Sequence, residues 1–356
     1  MEREAVEVIV ADIGTPELDA VGLLGEVAKR YPRTIRLAFS NPSDRDLVLA
    51  CTRVAHRFLW KPCDGDTLVA AIDATCKAGY WLKHEAVRQL IAEQSALPGL
   101  PPLHAELLDK LQSPNPAIET IAQLIAQDVG LATELLKLAN SAFFGVRRRV
   151  ASLTDAVMFL GLETVKSLLL WLRVFSQFPV KRIPGFSLQA LSNHSLFTGL
   201  LAREFILAEK PDQRVADEAF TAGLLHDLGK LVFASFLPDD YARILAQFEA
   251  GGPWLPQAEY DWFGATHAEA GAYLIGLWGL PVPVVDAVSF HHEPAQCPMP
   301  TFGPLTAVHV ANVLEHETHS QETSSRTSLD MDYLDTLGLC HRLDTWRAKF
   351  GLRREG

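Results

Sequence analysis

The sequence predicts a small α/β segment over residues 1–78, followed by a larger domain made only of helices. Two observations predict this division. In the first segment, short β-branched runs alternate with stretches of helical spacing, which is the pattern of a small parallel sheet. After Lys77, helical spacing continues alone, and proline-rich or glycine-rich breaks separate the helical stretches.

Three strands are predicted in the first segment: Ala5–Ala11, which leads into Asp12, then Thr34–Phe39 and Ala55–Trp60. Apolar residues at helical spacing predict helices over Glu17–Arg30 and Asp44–Thr52, one after each of the first two strands. After the third strand, Asp64 is expected to cap a long helix, because an aspartate oxygen accepts hydrogen bonds from the first helical turn.

The helical part is predicted to contain a linker helix (79–96), a main domain (97–295) and a helical C-terminal extension (296–356) that packs on the main domain. Its breaks are Leu97–Pro102, Ser113–Pro116 and Pro281–Pro283. The polar segment Gln321–Ser328 is predicted to be a loop, and a last helix is predicted over Leu343–Phe350.

Composition excludes several classes of function. The formal net charge of −11 argues against an extended nucleic-acid or acidic-lipid surface, and we interpret the basic run Arg147–Arg149 as a solvated loop. Five cysteines without a C-x-x-C pair are typical of reduced thiols, so we expect a cytoplasmic protein. No apolar run is long enough to span a bilayer, and the N-terminus lacks the pattern of a signal peptide.

The main functional signal is an ordered series of histidines in the C-terminal half. Imidazole and carboxylate groups are the side chains that hold divalent metals at neutral pH. The candidate metal ligands are His194, His226, Asp227, His267, His291 and His292, and the ion would be Fe, Mn, Zn or Mg. Lys230 follows the His-Asp doublet by one helical turn.

The spacing around the doublet limits how these groups can meet. The 32 residues from His194 to His226 suffice for two antiparallel helices that bring both side chains together. Neighbours on a helix point about 100° apart, so His226 and Asp227 can share one metal only near a helix end or kink, or else they hold two. Lys230 lies on the same side as the doublet, where its ammonium group could meet a substrate phosphate in an active enzyme.

Three motifs at successive strand ends resemble the receiver domain of response regulators, which has a flavodoxin-like fold. By this resemblance Asp12 is the phospho-acceptor, Ser40 reports the phosphoryl group, and Lys61 belongs to the receiver's Lys-Pro pair. The chain begins at the third βα unit of a receiver, so the acidic pair that binds Mg²⁺ is missing. The resemblance implies a truncated receiver with a vestigial acceptor; a gene start further upstream is the alternative.

The stretch from Leu100 to about His292 resembles the HDOD family, the HD-related output domains of bacterial signalling. The motifs that carry this resemblance are Leu135–Ser141, Phe143–Gly145, Thr154–Gly161 and the histidine series, whose order is similar to that of binuclear HD-GYP phosphodiesterases of cyclic di-GMP. The Gly-Tyr-Pro motif is absent after Glu293. Asn312 stands where HD enzymes have an aspartate, and its amide offers a dication no negative charge.

Two classes of function follow from these resemblances. One is a non-catalytic signalling protein of the response-regulator type that acts through protein contacts. The other is a metal-dependent phosphohydrolase similar to a cyclic-dinucleotide phosphodiesterase, or a module that senses a nucleotide in the same pocket. Expected partners are signalling proteins and a second copy of the chain, paired through the open edge of a truncated sheet. Glu269 and Glu293 are the nearest carboxylates in sequence that could replace the charge missing at Asn312.

Overall fold

The structure of the protein is a computed structural model. It describes residues 6–15, 17–41, 54–82, 117–141, 150–178, 182–319 and 327–349, with the single positions 47, 50, 51, 84, 87, 88, 91, 144 and 180. Several predicted features fall wholly or largely outside these residues: the helix Asp44–Thr52, the linker helix 79–96, the breaks Leu97–Pro102 and Ser113–Pro116, the basic run Arg147–Arg149 and most of the loop Gln321–Ser328.

The N-terminal segment contains the predicted parallel sheet. Strands β1 (Val8–Asp12), β2 (Ile35–Ser40) and β3 (Arg57–Trp60) pair in that order, and Asp12 lies opposite Phe39. Helix α1 (Ala20–Arg30) packs on one apolar cluster of the sheet, and α2 (Gly65–Trp81) packs on another. Asp64 caps α2 as expected, because its Oδ1 accepts the Thr67 N–H at 2.7 Å.

From residue 117 onward, the described chain is helical and contains no strand. Its helices are α3 (Ile118–Ala126), α4 (Val129–Ala139), α5 (Leu153–Leu160), α6 (Leu162–Gln177), α7 (Leu188–Glu209), α8 (Gln213–Leu225), α9 (Leu228–Phe236), α10 (Pro238–Glu249), α11 (Leu255–Phe263), α12 (His267–Leu277), α13 (Val282–Phe290), α14 (Pro304–His319), α15 (Met331–Thr336) and α16 (Leu343–Lys349). The last of these begins at the residue that the sequence predicts.

The chain divides into two compact units. One contains residues 1–178 and 274–279, and the other contains residues 179–273 and 280–356. The domain boundaries at 78, 96 and 295 stay predictions. Among the described helices, none has the length and apolar content that a membrane span requires.

Close helix contacts shape the second unit. A Cβ on Gly223 of α8 would lie 2.5 Å from the Gly199 Cα of α7, so these backbones approach each other only because both residues lack side chains. Helix α14 packs against α7, α8 and α13. At the end of α7, Glu209 Oε1 accepts hydrogen bonds from Arg342 and Trp346, which attaches the C-terminal helix to this unit.

Candidate metal centre

The His-Asp doublet lies at a junction between two helices. Helix α8 ends at Leu225 and α9 begins at Leu228, so His226 and Asp227 fall between them. This is the helix-end position that the sequence requires if both side chains are to reach one point. Because α7 packs along α8, His194 also arrives here, with its Nε2 at 3.1 Å from His226 Nε2.

Asp227 lies between two pairs of imidazoles. Its Oδ1 is 3.2 Å from His267 Nε2 and 3.9 Å from His291 Nε2. Its Oδ2 is 3.4 Å from His226 Nε2 and 3.7 Å from His194 Nε2. The structure therefore places one carboxylate oxygen toward each pair of histidines.

His292 belongs to the Oδ1 side of the cluster, because its Nε2 is 3.0 Å from His267 Nε2. All six predicted ligands thus lie together. They form two overlapping groups whose ligand atoms are close enough to share an ion, and Asp227 belongs to both.

Four of the histidines are held through the ring nitrogen that faces away from Asp227. Nδ1 of His226 lies 2.8 Å from the Gly223 carbonyl, and Nδ1 of His291 lies 2.8 Å from the Val288 carbonyl. In the other two histidines, a carboxylate contacts Nδ1 instead of a backbone carbonyl. Nδ1 of His267 is 2.6 Å from Glu259 Oε2, and Nδ1 of His194 is 2.5 Å from Glu315 Oε2. Each of these groups accepts a hydrogen bond, so each Nδ1 carries the proton.

This protonation leaves Nε2 of each neutral ring as a lone pair directed toward Asp227. Lone pairs that face each other or a carboxylate repel, and either a proton or a cation between them relieves the repulsion. Metal-binding histidines show this same arrangement, with the second ring nitrogen donating to a carbonyl or carboxylate.

Buried polar atoms without partners point to the same need for a ligand. Within the described part of the chain, neither Asp227 Oδ1 nor His291 Nε2 has a hydrogen-bond partner, and Asn312 Oδ1 also has none. Asp227 and Asn312 are 1% exposed and His291 is fully buried. A buried polar atom without a partner is costly, so these residues fit a metal ion.

The electrostatics keep several ligands in the form that binds metal. Burial lowers the pKa of His226 to about 3 and holds the pKa of His291 and His292 well below the usual value. Burial alone would raise the pKa of Asp227, but the nearby His226 and Lys230 hold it well below the ordinary range. For His267, burial opposes protonation, but the carboxylates of Glu259 and Asp227 together outweigh burial and raise the pKa.

Lys230 lies on the side of the doublet that the sequence predicts. Its Nζ is 2.7 Å from Asp227 Oδ2, and its side chain is 15% exposed. The ammonium group therefore pairs with the central carboxylate.

The remaining polar residues divide into those near the cluster and those outside it. His316 stacks on His194, with ring centroids 4.6 Å apart. His309 lies outside the cluster, because its Nδ1 donates to the His291 carbonyl and its Nε2 accepts the Asp330 N–H. Glu269 binds the N–H of Thr266 at the start of α12, and Glu293 is exposed.

Two carboxylates of the site were not identified from the sequence. Glu315 lies one helical turn after Asn312, so helical spacing could have found it. Glu259 precedes His267 by eight residues across the turn at Gly264, where no periodic pattern connects the two. The sequence-based candidates Glu269 and Glu293 are thus replaced by Glu259 and Glu315 as the carboxylates that contact the histidines.

The three receiver-like residues lie at one edge of the sheet. Lys61 Nζ is 2.5 Å from Asp12 Oδ2, and the Gly14 N–H donates to Asp12 Oδ1 at 3.1 Å. The hydrogen bond from Lys61 lowers the pKa of Asp12. The buried Ser40 hydroxyl instead donates to the Asn41 carbonyl. The structure thus brings Asp12 and Lys61 together at the strand ends.

An all-helical unit with a His/Asp cluster at a helix junction defines a protein related to the HD-type metal-dependent phosphohydrolases. The chain belongs to the HDOD family, whose domain matches residues 97–294.

Comparisons with individual proteins agree with this family. An uncharacterized protein of Treponema pallidum (strain Nichols) is 33% identical over 206 residues, or 57% of this chain and 39% of that protein. The chain therefore matches about two fifths of this relative's length. A candidate phosphohydrolase of Shewanella amazonensis SB2B has 25% identity and a TM-score of 0.58, covering 76% of this chain and 96% of that one.

Two further crystal structures share the fold alone. An HDOD domain protein of unknown function from Geobacter sulfurreducens has 22% identity and a TM-score of 0.54, covering 80% of this chain and 97% of that one. A candidate signal transduction protein from Marinobacter aquaeolei VT8 has 21% identity and a TM-score of 0.56, covering 86% of this chain and 72% of that one.

Proposed function

We propose that this protein is an HDOD signalling protein whose helical domain holds a divalent metal ion and acts through protein contacts. The proposal of a metal rests on one observation. In four imidazoles, Nδ1 is held by a hydrogen-bond acceptor and Nε2 is directed at the two oxygens of Asp227. His194, His226, Asp227, His267, His291 and His292 would hold the ion. An imidazole-rich set with one carboxylate suits Zn²⁺ or Fe²⁺ better than Mn²⁺ or Mg²⁺.

The signalling role without catalysis rests on how little charge the direct ligands carry, because Asp227 is the one carboxylate among the six. The amide of Asn312 supplies no charge, and the ammonium group of Lys230 already pairs with Asp227.

A metal-dependent phosphohydrolase is the second candidate, and the position of Asp227 favours it. Each oxygen of Asp227 faces one pair of imidazoles, so this carboxylate would hold metal together with either pair. The metal would supply a Lewis acid for a phosphoryl oxygen. In this reading, Lys230 would leave Asp227 and bind the substrate phosphate, and the substrate would be a nucleotide or cyclic dinucleotide.

Metal content measured together with turnover tests both candidates. We expect the purified protein to retain transition metal by elemental analysis, and His226→Ala and Asp227→Ala to lose it. The exposed His84→Ala is the control and should retain it. We expect no hydrolysis of cyclic di-GMP by the metal-loaded protein. Turnover that both site variants abolish would replace the first proposal with the second, and a metal-free protein would contradict both.

We also propose that the N-terminal segment is receiver-like and that its Asp12 is not phosphorylated. The parallel sheet and the Asp12–Lys61 pair support the receiver likeness. Phosphoryl transfer to an aspartate needs Mg²⁺. Within the described residues, Asp12 belongs to no cluster of carboxylates that could hold this ion, so we expect no acetyl-phosphate labelling. Mg²⁺-dependent labelling that Asp12→Asn abolishes would show a working acceptor.

Signalling proteins are the proposed partners, and self-association through the sheet is part of the proposal. Within the described residues, β1 and β3 each pair with β2 alone, and such edges pair readily with another chain. Sedimentation at micromolar concentration should show a dimer, and a monomer at that concentration would argue against this arrangement.

A further inference from the structure

Two buried carboxylates stand behind the metal-ligand histidines, one on each side of Asp227. Glu259 on α11 contacts His267, and Glu315 on α14 contacts His194. Both carboxylates contact the site through an imidazole.

Glu259 is fully buried, and its hydrogen bonds fix one orientation of His267. Its Oε2 accepts both the backbone N–H of His267 at 2.8 Å and the ring Nδ1–H at 2.6 Å. Its other oxygen accepts the hydroxyl of the buried Tyr241 at 3.3 Å. Because one oxygen receives two donors of the same residue, the ring of His267 cannot turn without breaking one of these bonds.

Glu315 contacts the ring of His194 on the opposite side of Asp227. Its side chain is 10% exposed, and Oε2 is 2.5 Å from His194 Nδ1. On α14 it follows Asn312 by one helical turn, so both residues face the same part of the site. The helix that lacks a carboxylate at Asn312 thus supplies one at Glu315.

Charge shows what these carboxylates add. Asp227 and Lys230 form a neutral pair, so with neutral imidazoles this core offers a dication no net negative charge. Glu259 and Glu315 add two negative charges close to the ligand rings. Two charges are what a single dication needs, and a buried cation is stable only when it is compensated.

We propose that Glu259 and Glu315 are positioning residues that orient His267 and His194 and supply the negative charge for one divalent ion. This inference rests on the proposed metal centre. In this proposal, Glu259 and Glu315 supply the negative charge that the amide of Asn312 does not provide, and they do so through their contacts with imidazole rings.

Isosteric neutral variants of the full-length protein test the inference. Glu259→Gln and Glu315→Gln keep an oxygen for each Nδ1–H but remove the charge. The control is Glu204→Gln, an exposed position on α7, the same helix as His194. Zn²⁺ affinity is measured by competition with a chelator, coordination by the absorption spectrum of the Co²⁺-loaded protein, and stability by urea unfolding of the metal-free protein.

We expect each site variant to raise the Kd for Zn²⁺ about 10–100-fold and to change the Co²⁺ spectrum, whereas the control does neither. Site variants that bind Zn²⁺ as tightly as the parent protein would overturn the inference and leave the metal centre intact. A loss of metal-free stability with unchanged Kd would also overturn it, since it would show a structural role alone. If the parent protein binds no Zn²⁺ or Co²⁺, the metal centre fails and the inference fails with it.

Discussion

Asp227 is the residue on which the site depends, because its two oxygens each face a pair of imidazoles. The sequence predicted all six members of this cluster from residue type and order. It also predicted the position of Lys230 relative to the doublet. It could not predict that Lys230 pairs with Asp227, because helical spacing shows that two side chains share a face but not which partner a flexible lysine takes.

The ion pair with Asp227 gives a residue-scale prediction for Lys230. Lys230→Met should lower the free energy of unfolding of the metal-free protein by roughly 1–3 kcal/mol, because Asp227 is left buried without its cation. Saturating Zn²⁺ should remove most of this loss, because the metal supplies the positive charge. Urea unfolding with chelator and with Zn²⁺ measures both values.

The matched control for this variant is Lys210→Met, since Lys210 is exposed. It should change neither unfolding curve by more than about 0.5 kcal/mol. Equal destabilisation of Lys230→Met with and without Zn²⁺ would contradict the view that lysine and metal serve the same carboxylate.

At the scale of elements, the sequence located the strands and helix starts where local chemistry decides them. Asp64 caps α2 as expected, and Gly161 with a φ of 81° separates α5 from α6. Contacts between distant elements were not predictable. Glu259 reaches His267 through the turn after α11, and no periodicity in the sequence connects them.

Gly229 lies two residues after the His-Asp doublet, at a position where a side chain would not fit. A Cβ at Gly229 would lie 1.9 Å from the His267 carbonyl oxygen, so α9 and the start of α12 touch through their backbones. Backbone atoms cannot turn away as a flexible side chain can. This contact holds His267 against the helix that begins next to Asp227.

Gly229→Ala should therefore force α9 and α12 apart. We expect a loss of about 1–3 kcal/mol or more in the free energy of unfolding, together with weaker metal binding, because His267 is displaced. The control is Gly65→Ala at the start of α2, where a Cβ meets open space and should be neutral or stabilising by about 0.4–1 kcal/mol. A Gly229→Ala protein with parental stability and metal affinity would show that the contact is not required.

At the scale of the whole molecule, the centre forms only when distant parts of the second unit are folded together. His194 and Glu315 are 121 residues apart in sequence, yet His194 Nδ1 lies 2.5 Å from Glu315 Oε2 in the folded protein. Because an unfolded chain cannot assemble such a site, a metal bound in the proposed centre would contribute directly to the stability of this unit. A free ion at 100 times its Kd would add about 2.7 kcal/mol.

In each unit, residues that the sequence resemblances imply for a metal-dependent site lie close together. In the sheet, Asp12 pairs with Lys61, and in the helical unit Asn312 stands where an aspartate was expected. The order of the histidines along the sequence was enough to predict the cluster. The two carboxylates that contact His194 and His267 could be identified only from the folded structure. Whether the helical centre binds metal is therefore the question that separates a working site from an inherited framework.

Anomalous X-ray diffraction from crystals of the full-length protein grown with Zn²⁺ or Mn²⁺ addresses this question directly. We expect a strong anomalous peak within bonding distance of Asp227 and of Nε2 atoms from the surrounding histidines, and no such peak in Asp227→Ala crystals. A cluster that stays free of metal at saturating concentration, while ions bind only at surface residues, would contradict the proposed centre.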